Sequence, residues 1–144
     1  MRVYEIIYDR LFTSGHTKNK RVQDKLDTLA QLGITHVVNL TGSVDPDLVS
    51  CSRVTYLHRP VPDGRINTNH LAVANEVLAL IKGGRRVLVH CIAGRNRAPF
   101  IAALVYKDWY HVLGWTAYLH LRAVRKNSLV NEFFFTWLKE NRET

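Results

Sequence analysis

Cys91 and Arg97 are the residues whose types and spacing could do chemistry. They lie six positions apart, with Gly94 between them, in the segment VLVHCIAGRNRAP at residues 87–99. A turn between a strand and a helix can direct backbone N–H groups inward as an anion site, and the helix N-terminus adds positive charge. The same field favours a cysteine thiolate, and an arginine offers two parallel donors to phosphate oxygens. The segment therefore predicts a nucleophile facing a bound phosphate.

The elements that must position this segment follow from hydrophobic periodicity and from turn residues. A continuous β-branched run such as THVVNL predicts a strand buried on both faces, and apolar residues at helical spacing predict helices. We predict strands or a hairpin at 3–7 and 11–13, strands at 35–40, 54–57 and 87–89, a loop at 42–47, and helices at 21–32, about 70–82, from Pro99 onward, 115–125 and 131–140.

This order predicts an α/β fold, with a central mixed, mostly parallel sheet of four to five strands flanked by helices. The length of 144 residues is typical of one domain, so we expect a single domain over 1–144. In such folds ligands bind beyond the carboxyl ends of the strands, which is where Cys91 lies.

Composition and charge limit the partners and the compartment. The net charge of +8 attracts anions, and the basic residues are densest at Lys18, Lys20, Arg21 and Lys25. This stretch is either a solvated surface or a patch that steers substrates. No apolar run approaches the roughly 20 residues of a membrane span. Two cysteines, Cys51 and Cys91, suit a reducing compartment, so we expect a cytoplasmic protein without a membrane span.

The segment resembles the signature of the cysteine-dependent protein tyrosine phosphatases, and of their dual-specificity branch: His-Cys, two residues, Gly, two residues, Arg. His90, Cys91, Gly94 and Arg97 match it without a gap. The resemblance implies a phosphatase that forms a cysteinyl-phosphate and needs no metal or cofactor. It also implies a phosphate-binding loop made of Ile92, Ala93, Gly94, Arg95, Asn96 and Arg97.

Further roles are implied by the same resemblance. The general acid of the family is an aspartate on an upstream loop, and Asp63 in VPDG at residues 61–64 stands in the matching position. A bare turn is the other interpretation of Pro-Asp-Gly. His90 would tune and orient the thiolate, and Asn39 would brace the phosphate-binding loop. A satisfied core histidine and a strand-end cap are the respective alternatives.

Two positions depart from the usual pattern. Ala98 replaces a serine or threonine whose hydroxyl assists the second step, so we predict slow breakdown of the phosphoenzyme. The run Arg-Ala-Pro resembles the phosphatases of regenerating liver, although the final residues 141–144 carry no prenylation box. Asn96, just before the arginine, resembles the RNA 5′-triphosphatase branch.

The expected substrates are phosphotyrosine and also phosphoserine or phosphothreonine in proteins. An RNA 5′ end and a phosphoinositide head group are alternative partners, because the basic surface suits any polyanion. A third alternative is a phosphate-binding module that turns over little, motivated by Ala98.

Overall fold

The structure, a computed structural model, describes residues 1–18 and 20–141. Residues 142–144, in which no prenylation box was found, lie outside the described residues. The elements in chain order are β1 Val3–Ile7, β2 Leu11–Ser14, α1 Val22–Gln31, β3 His36–Asn39, α2 Pro46–Val49, β4 Thr55–His58, α3 Thr68–Lys82, β5 Val87–His90, α4 Arg97–Tyr110, α5 Gly114–Val124 and α6 Glu132–Glu140.

The strands form one mixed sheet in the order β1-β2-β5-β3-β4. β1 and β2 form an antiparallel hairpin, and the remaining pairs are parallel. The predicted α/β fold with a mostly parallel sheet of four to five strands is confirmed. β5 lies in the middle, so the carboxyl end of this strand opens between the ends of β2 and β3.

The two faces of the sheet carry separate apolar layers, because successive side chains of a strand point in opposite directions. Leu88 of β5 packs with Phe12, Val37 and Leu29 on the face covered by α1. The opposite face packs against the larger core of α3, α4, α5 and α6; Val87, Val89, Ile101 and Phe134 are among its buried residues.

The predicted helix after the signature cysteine is confirmed, and it begins at Arg97. Its residues 98–105 are all buried. Pro99 lies in the first turn, where its missing N–H has no helical partner to lose. Because α4 crosses the core beneath the sheet, its N-terminus is held rigidly next to the end of β5.

The prediction of a loop at 42–47 is wrong at its end, since α2 begins at Pro46. The Asp45 side chain caps this helix by accepting a hydrogen bond from the N–H of Asp47 at 3.1 Å. Proline at the first helical position is already set for helical φ. A helix of four residues is too short to show helical periodicity, so the sequence pattern could not reveal it.

Candidate active site

Cys91 follows β5 directly and is only 2% exposed. Its Sγ accepts a hydrogen bond from the backbone N–H of Ala98, in the first turn of α4, at 3.5 Å. The N-terminus of a helix carries partial positive charge. The sulfur therefore lies where a negative charge is stabilised.

The carbonyl oxygens of the loop between Cys91 and α4 point outward. Four consecutive carbonyls are occupied by donors from neighbouring segments, two of them by the Arg125 guanidinium. The pairs are Ile92 O with His16 N at 2.8 Å, Ala93 O with Arg125 Nη1 at 3.0 Å, Gly94 O with Arg125 Nη1, and Arg95 O with Leu129 N at 2.7 Å.

The outward carbonyls determine where the amides point. In a trans peptide the N–H lies opposite the C=O, and the described chain has no cis peptide bond. None of the six backbone N–H groups at residues 92–97 donates to any residue in 1–18 or 20–141. Consecutive unsatisfied N–H groups on one concave side form an anion site. The loop can therefore receive a phosphate through its backbone.

Gly94 is required at the middle of this loop. Its φ is +69°, a region that favours glycine. A Cβ on it would lie 2.8 Å from the backbone N of Gly15 and 2.9 Å from the backbone C of Ser14. The signature glycine therefore allows both the turn and the close approach of the chain after β2.

The Arg97 guanidinium is anchored at one nitrogen. Its Nη1 donates to Leu40 O at 3.3 Å and to Val61 O at 3.4 Å. Nε and Nη2 have no acceptor in the described part of the chain. These two nitrogens form the edge of the guanidinium that can bind two oxygens of one phosphate.

Asp63 lies next to the loop, on an exposed turn after β4. Its Oδ2 accepts a hydrogen bond from Asn96 Nδ2 at 3.3 Å, and its Oδ1 accepts one from Asn131 Nδ2 at 2.9 Å. The fold therefore brings the carboxylate matched to the general acid against a residue of the phosphate-binding loop.

The expectation that His90 orients the thiolate is not met by a hydrogen bond. Both ring nitrogens are buried, and neither has a partner among the described residues. Burial lowers the pKa of His90 to about 4, with smaller contributions from His16 and Arg97, while the Cys91 backbone and the Asp45 charge act in the opposite direction. The ring is therefore neutral near pH 7. It is a core histidine whose polar atoms are not satisfied by the protein.

Asn39 braces a different loop from the one expected. Its Nδ2 donates to Ser43 O at 2.8 Å and to the Tyr56 hydroxyl at 2.7 Å, and its Oδ1 accepts from the N–H of Thr41 at 2.8 Å. All these partners lie after β3 or on β4. Both ends of the amide are occupied by these partners, so the side chain stabilises the turn after its own strand.

Arg95 and Ala98 complete the predicted set. The Arg95 side chain is exposed and its Nε donates to Asn127 O at 3.5 Å, so it lies on the outer rim. Ala98 is fully buried behind the cysteine. Its methyl group offers no hydroxyl to the sulfur.

Sequence reasoning missed a buried ion pair beside the site. Lys25 belongs to the basic stretch predicted to lie on the surface, yet it is 1% exposed, with Nζ 2.7 Å from Asp45 and 2.8 Å from Asp47. Burial alone would lower the pKa of Lys25, but the two carboxylates raise it. Burial would likewise raise the pKa of Asp45, but bonds from Lys25 and Thr17 lower it. The pair ties α1 to α2.

Arg125 and Asn131 were also missed, because they lie more than 30 residues after the cysteine and match no short motif. Leu129 and Asn131 both contact the phosphate-binding loop, the second through a backbone N–H that donates to Asn96 Oδ1 at 2.9 Å. Only the tertiary structure brings this segment to the site. Among the described residues, no three His, Cys, Asp or Glu side chains are grouped as metal ligands are.

The sequence matches the family described as "Dual specificity phosphatase, catalytic domain" over residues 17–144. The chain belongs to this family. Dual-specificity phosphatases of the cysteine-dependent class are hydrolases, so this chain is a protein phosphatase of that class, and phosphorylated molecules are its substrates. No protein with a curated description matches the sequence.

Solved structures agree with this assignment. DUSP15 is 25% identical, with a TM-score of 0.78, over 96% of this phosphatase and 85% of that chain. Human DUSP28 is 17% identical, with a TM-score of 0.75, over 96% and 90% of the two chains. Human tyrosine phosphatase-like serine/threonine/tyrosine-interacting protein is 20% identical, with a TM-score of 0.77, over 96% and 93%. The last two likenesses concern the fold. In the described part of the phosphatase no helix is long and apolar enough to span a bilayer.

Proposed function

We propose that this phosphatase hydrolyses phosphotyrosine, and also phosphoserine and phosphothreonine, in proteins through a cysteinyl-phosphate on Cys91. The observation that carries the proposal is the run of six N–H groups at residues 92–97 that donate to no described residue, next to the free edge of Arg97. Donors that are already oriented stabilise the charge of a transferring phosphoryl group without reorganisation.

The proposed reaction has two steps. The Cys91 thiolate attacks phosphorus while the bond to the leaving oxygen breaks, and Asp63 gives that oxygen a proton. Water then attacks the cysteinyl-phosphate, returns a proton to Asp63 and releases the thiolate. The hydrogen bond from the Ala98 N–H to Sγ supports the thiolate in both steps.

The test compares the two cysteines. Cys91→Ser should abolish phosphate release from a phosphotyrosyl peptide, because a serine hydroxyl lacks the ionised nucleophile, while peptide binding persists. Cys51→Ser is the matched control and should keep full activity, since Cys51 is a free thiol outside the site. Turnover by Cys91→Ser, or equal loss in both variants, would contradict the mechanism.

A second candidate, a phosphate-binding module of low turnover, is favoured by the buried methyl group of Ala98. Without a hydroxyl beside the sulfur, the departing thiolate of the second step has the Ala98 N–H but no side-chain donor. Rapid-mixing kinetics separate the candidates. One equivalent released quickly, followed by slow turnover, indicates a trapped phosphoenzyme. Tight binding with no burst indicates the module.

The RNA 5′-triphosphatase alternative depended mainly on Asn96. The side chain of this residue bonds to Asp63 and Asn131, which gives it a role outside phosphate-chain recognition. Release of phosphate from triphosphorylated RNA, a phosphoinositide and a phosphotyrosyl peptide at one salt concentration tests the three substrate classes. We expect the peptide to be preferred.

A further inference from the structure

The Asp63 carboxylate is held by two side-chain amides rather than by its own turn. Pro62 and Asp63 are exposed, and a Cβ on Gly64 would touch nothing within 4 Å. The side-chain contacts of Asp63 in the described chain are Asn96 Nδ2 at Oδ2 and Asn131 Nδ2 at Oδ1. The position of the carboxyl group therefore depends on these two asparagines.

Each asparagine is itself locked in orientation. Asn96 Oδ1 accepts from the backbone N–H of Asn131 at 2.9 Å. Asn131 Oδ1 caps α6 by accepting from Phe133 N at 2.8 Å and from Phe134 N at 3.3 Å. Because the oxygen of each amide is occupied by backbone donors, its NH₂ group must face Asp63.

The contact also joins the two loops of the site. Leu129 N donates to Arg95 O, and two residues later Asn131 Nδ2 donates to Asp63 and, at 3.3 Å, to Gly64 O. The segment before α6 thus contacts the phosphate-binding loop and the acid loop together. A shift of one loop relative to the other would break these bonds.

We propose that Asn96 and Asn131 are positioning residues that hold Asp63 over the phosphate-binding loop for proton transfer. The inference rests on the proposed role of Asp63 as general acid. In the first step the proton of Asp63 moves to the leaving oxygen as its bond to phosphorus breaks and the sulfur–phosphorus bond forms. In the second step a proton of the attacking water returns to Asp63.

Neutral amides suit this role for a physical reason. An arginine or lysine at either position would favour the ionised carboxylate by its positive charge as well as by its hydrogen bond. A general acid must carry its proton when the leaving group departs. Asparagine fixes the geometry without adding a positive charge.

The experiment compares two aryl phosphates. p-Nitrophenyl phosphate has a leaving group that departs without a proton, whereas phenyl phosphate needs the acid. Asn131→Ser keeps an oxygen that can cap α6 but cannot reach Asp63. We expect kcat/KM for phenyl phosphate to fall about tenfold, a fraction of the 10²–10⁴ that general acids contribute. For p-nitrophenyl phosphate we expect a change within about twofold, because its leaving group departs without the acid; kcat/KM is used because it does not include the slow second step.

Two further variants sharpen the test. Asn96→Ser should lower kcat/KM for phenyl phosphate more than kcat/KM for p-nitrophenyl phosphate, since it removes the other donor. Asn69→Ser makes the same change at an exposed position of α3 and should leave kcat/KM unchanged for both substrates. In an Asp63→Asn background, Asn131→Ser should have no further effect, because the group that it positions is gone.

The outcomes separate the two proposals. Equal losses on both substrates, or a loss that persists in the Asp63→Asn background, would overturn the positioning role and indicate a structural one. If Asp63→Asn lowers kcat/KM selectively for phenyl phosphate but neither asparagine variant does, only the positioning role of the asparagines is refuted. If the loss in Asp63→Asn is equal on both substrates, the general-acid role of Asp63 and the positioning role of the two asparagines are both refuted. The test of Cys91 is unaffected by that result.

Discussion

The phosphate-binding loop and the acid loop are held in place by different means. Residues 91–97 lie between a central strand and a buried helix, and their carbonyl oxygens are bonded from outside. Residues 61–65 follow the edge strand β4, and the exposed Asp63 is held by side chains alone. The proposed nucleophile is therefore positioned by the fold, whereas the proposed acid is positioned by two replaceable residues.

This difference predicts how each loop responds to mutation. A backbone-built site tolerates side-chain changes that leave the backbone in place, but it fails when the backbone is displaced. A site held by side chains loses its geometry when one donor is removed, with little change in folding. The same glycine substitution can be made in both loops.

Gly94→Ala should have the largest effect. The positive φ and the displacement of the Ser14–Gly15 backbone should each cost about 1–3 kcal/mol, so we expect a total loss of about 4 kcal/mol in unfolding free energy. A displacement of about 1 Å in the loop should lower kcat/KM about 100-fold. Denaturant unfolding measures the loss of unfolding free energy, and steady-state kinetics measure the fall in kcat/KM.

Gly64→Ala is the matched change in the acid loop. Nothing lies within 4 Å of the added Cβ, so the free energy of unfolding should change by less than about 0.5 kcal/mol. Comparable destabilisation by both substitutions would refute the contrast between the loops.

His90 predicts a pH dependence of stability. Its pKa falls from 6.5 to about 4 on folding, so the unfolded chain binds the proton more tightly. The contribution of neutral His90 to the free energy of unfolding is fully present above pH 6.5. It is lost as the pH falls toward 4, and the loss amounts to about 3 kcal/mol at 1.36 kcal/mol per pKa unit. Burial, and to a smaller extent Arg85, also lowers the pKa of His36 from 6.5, so His36 adds to the loss of stability in this window in the wild type and in a His90 variant alike. The lowered pKa of Asp45 acts below 3.8, outside this window.

The measurement is the free energy of unfolding of the wild type and of His90→Asn at pH 7 and at pH 4. The asparagine cannot take up the proton, so the variant should lose less stability over this interval. Equal losses would show that His90 is not the group that titrates.

Ala98→Ser should raise kcat by about tenfold. The added hydroxyl would donate one hydrogen bond to the departing thiolate, and bonds to charged groups contribute about 1.5–3 kcal/mol. The burst should shrink as the second step accelerates. An unchanged kcat would show that the missing hydroxyl does not limit turnover.

Much of the fold could be predicted from residues 35–40, 71–81 and 87–99. Their apolar periodicities are long and continuous, so strand and helix were assigned correctly there. The short helix α2 was missed because a single turn has no period to detect. The basic stretch was misjudged at Lys25, because a lysine is buried only when a partner from elsewhere in the chain neutralises it.

The sequence by itself determined the local part of the site. Cysteine, glycine and arginine within seven residues, between a strand and a helix, dictate an anion-binding turn, since all the interactions that shape it are close along the chain. Only the tertiary structure decided what surrounds this turn. The contacts of Arg125 and Asn131, the placement of Asp63 and the unsatisfied ring of His90 depend on segments that meet through packing, and no local pattern records such meetings.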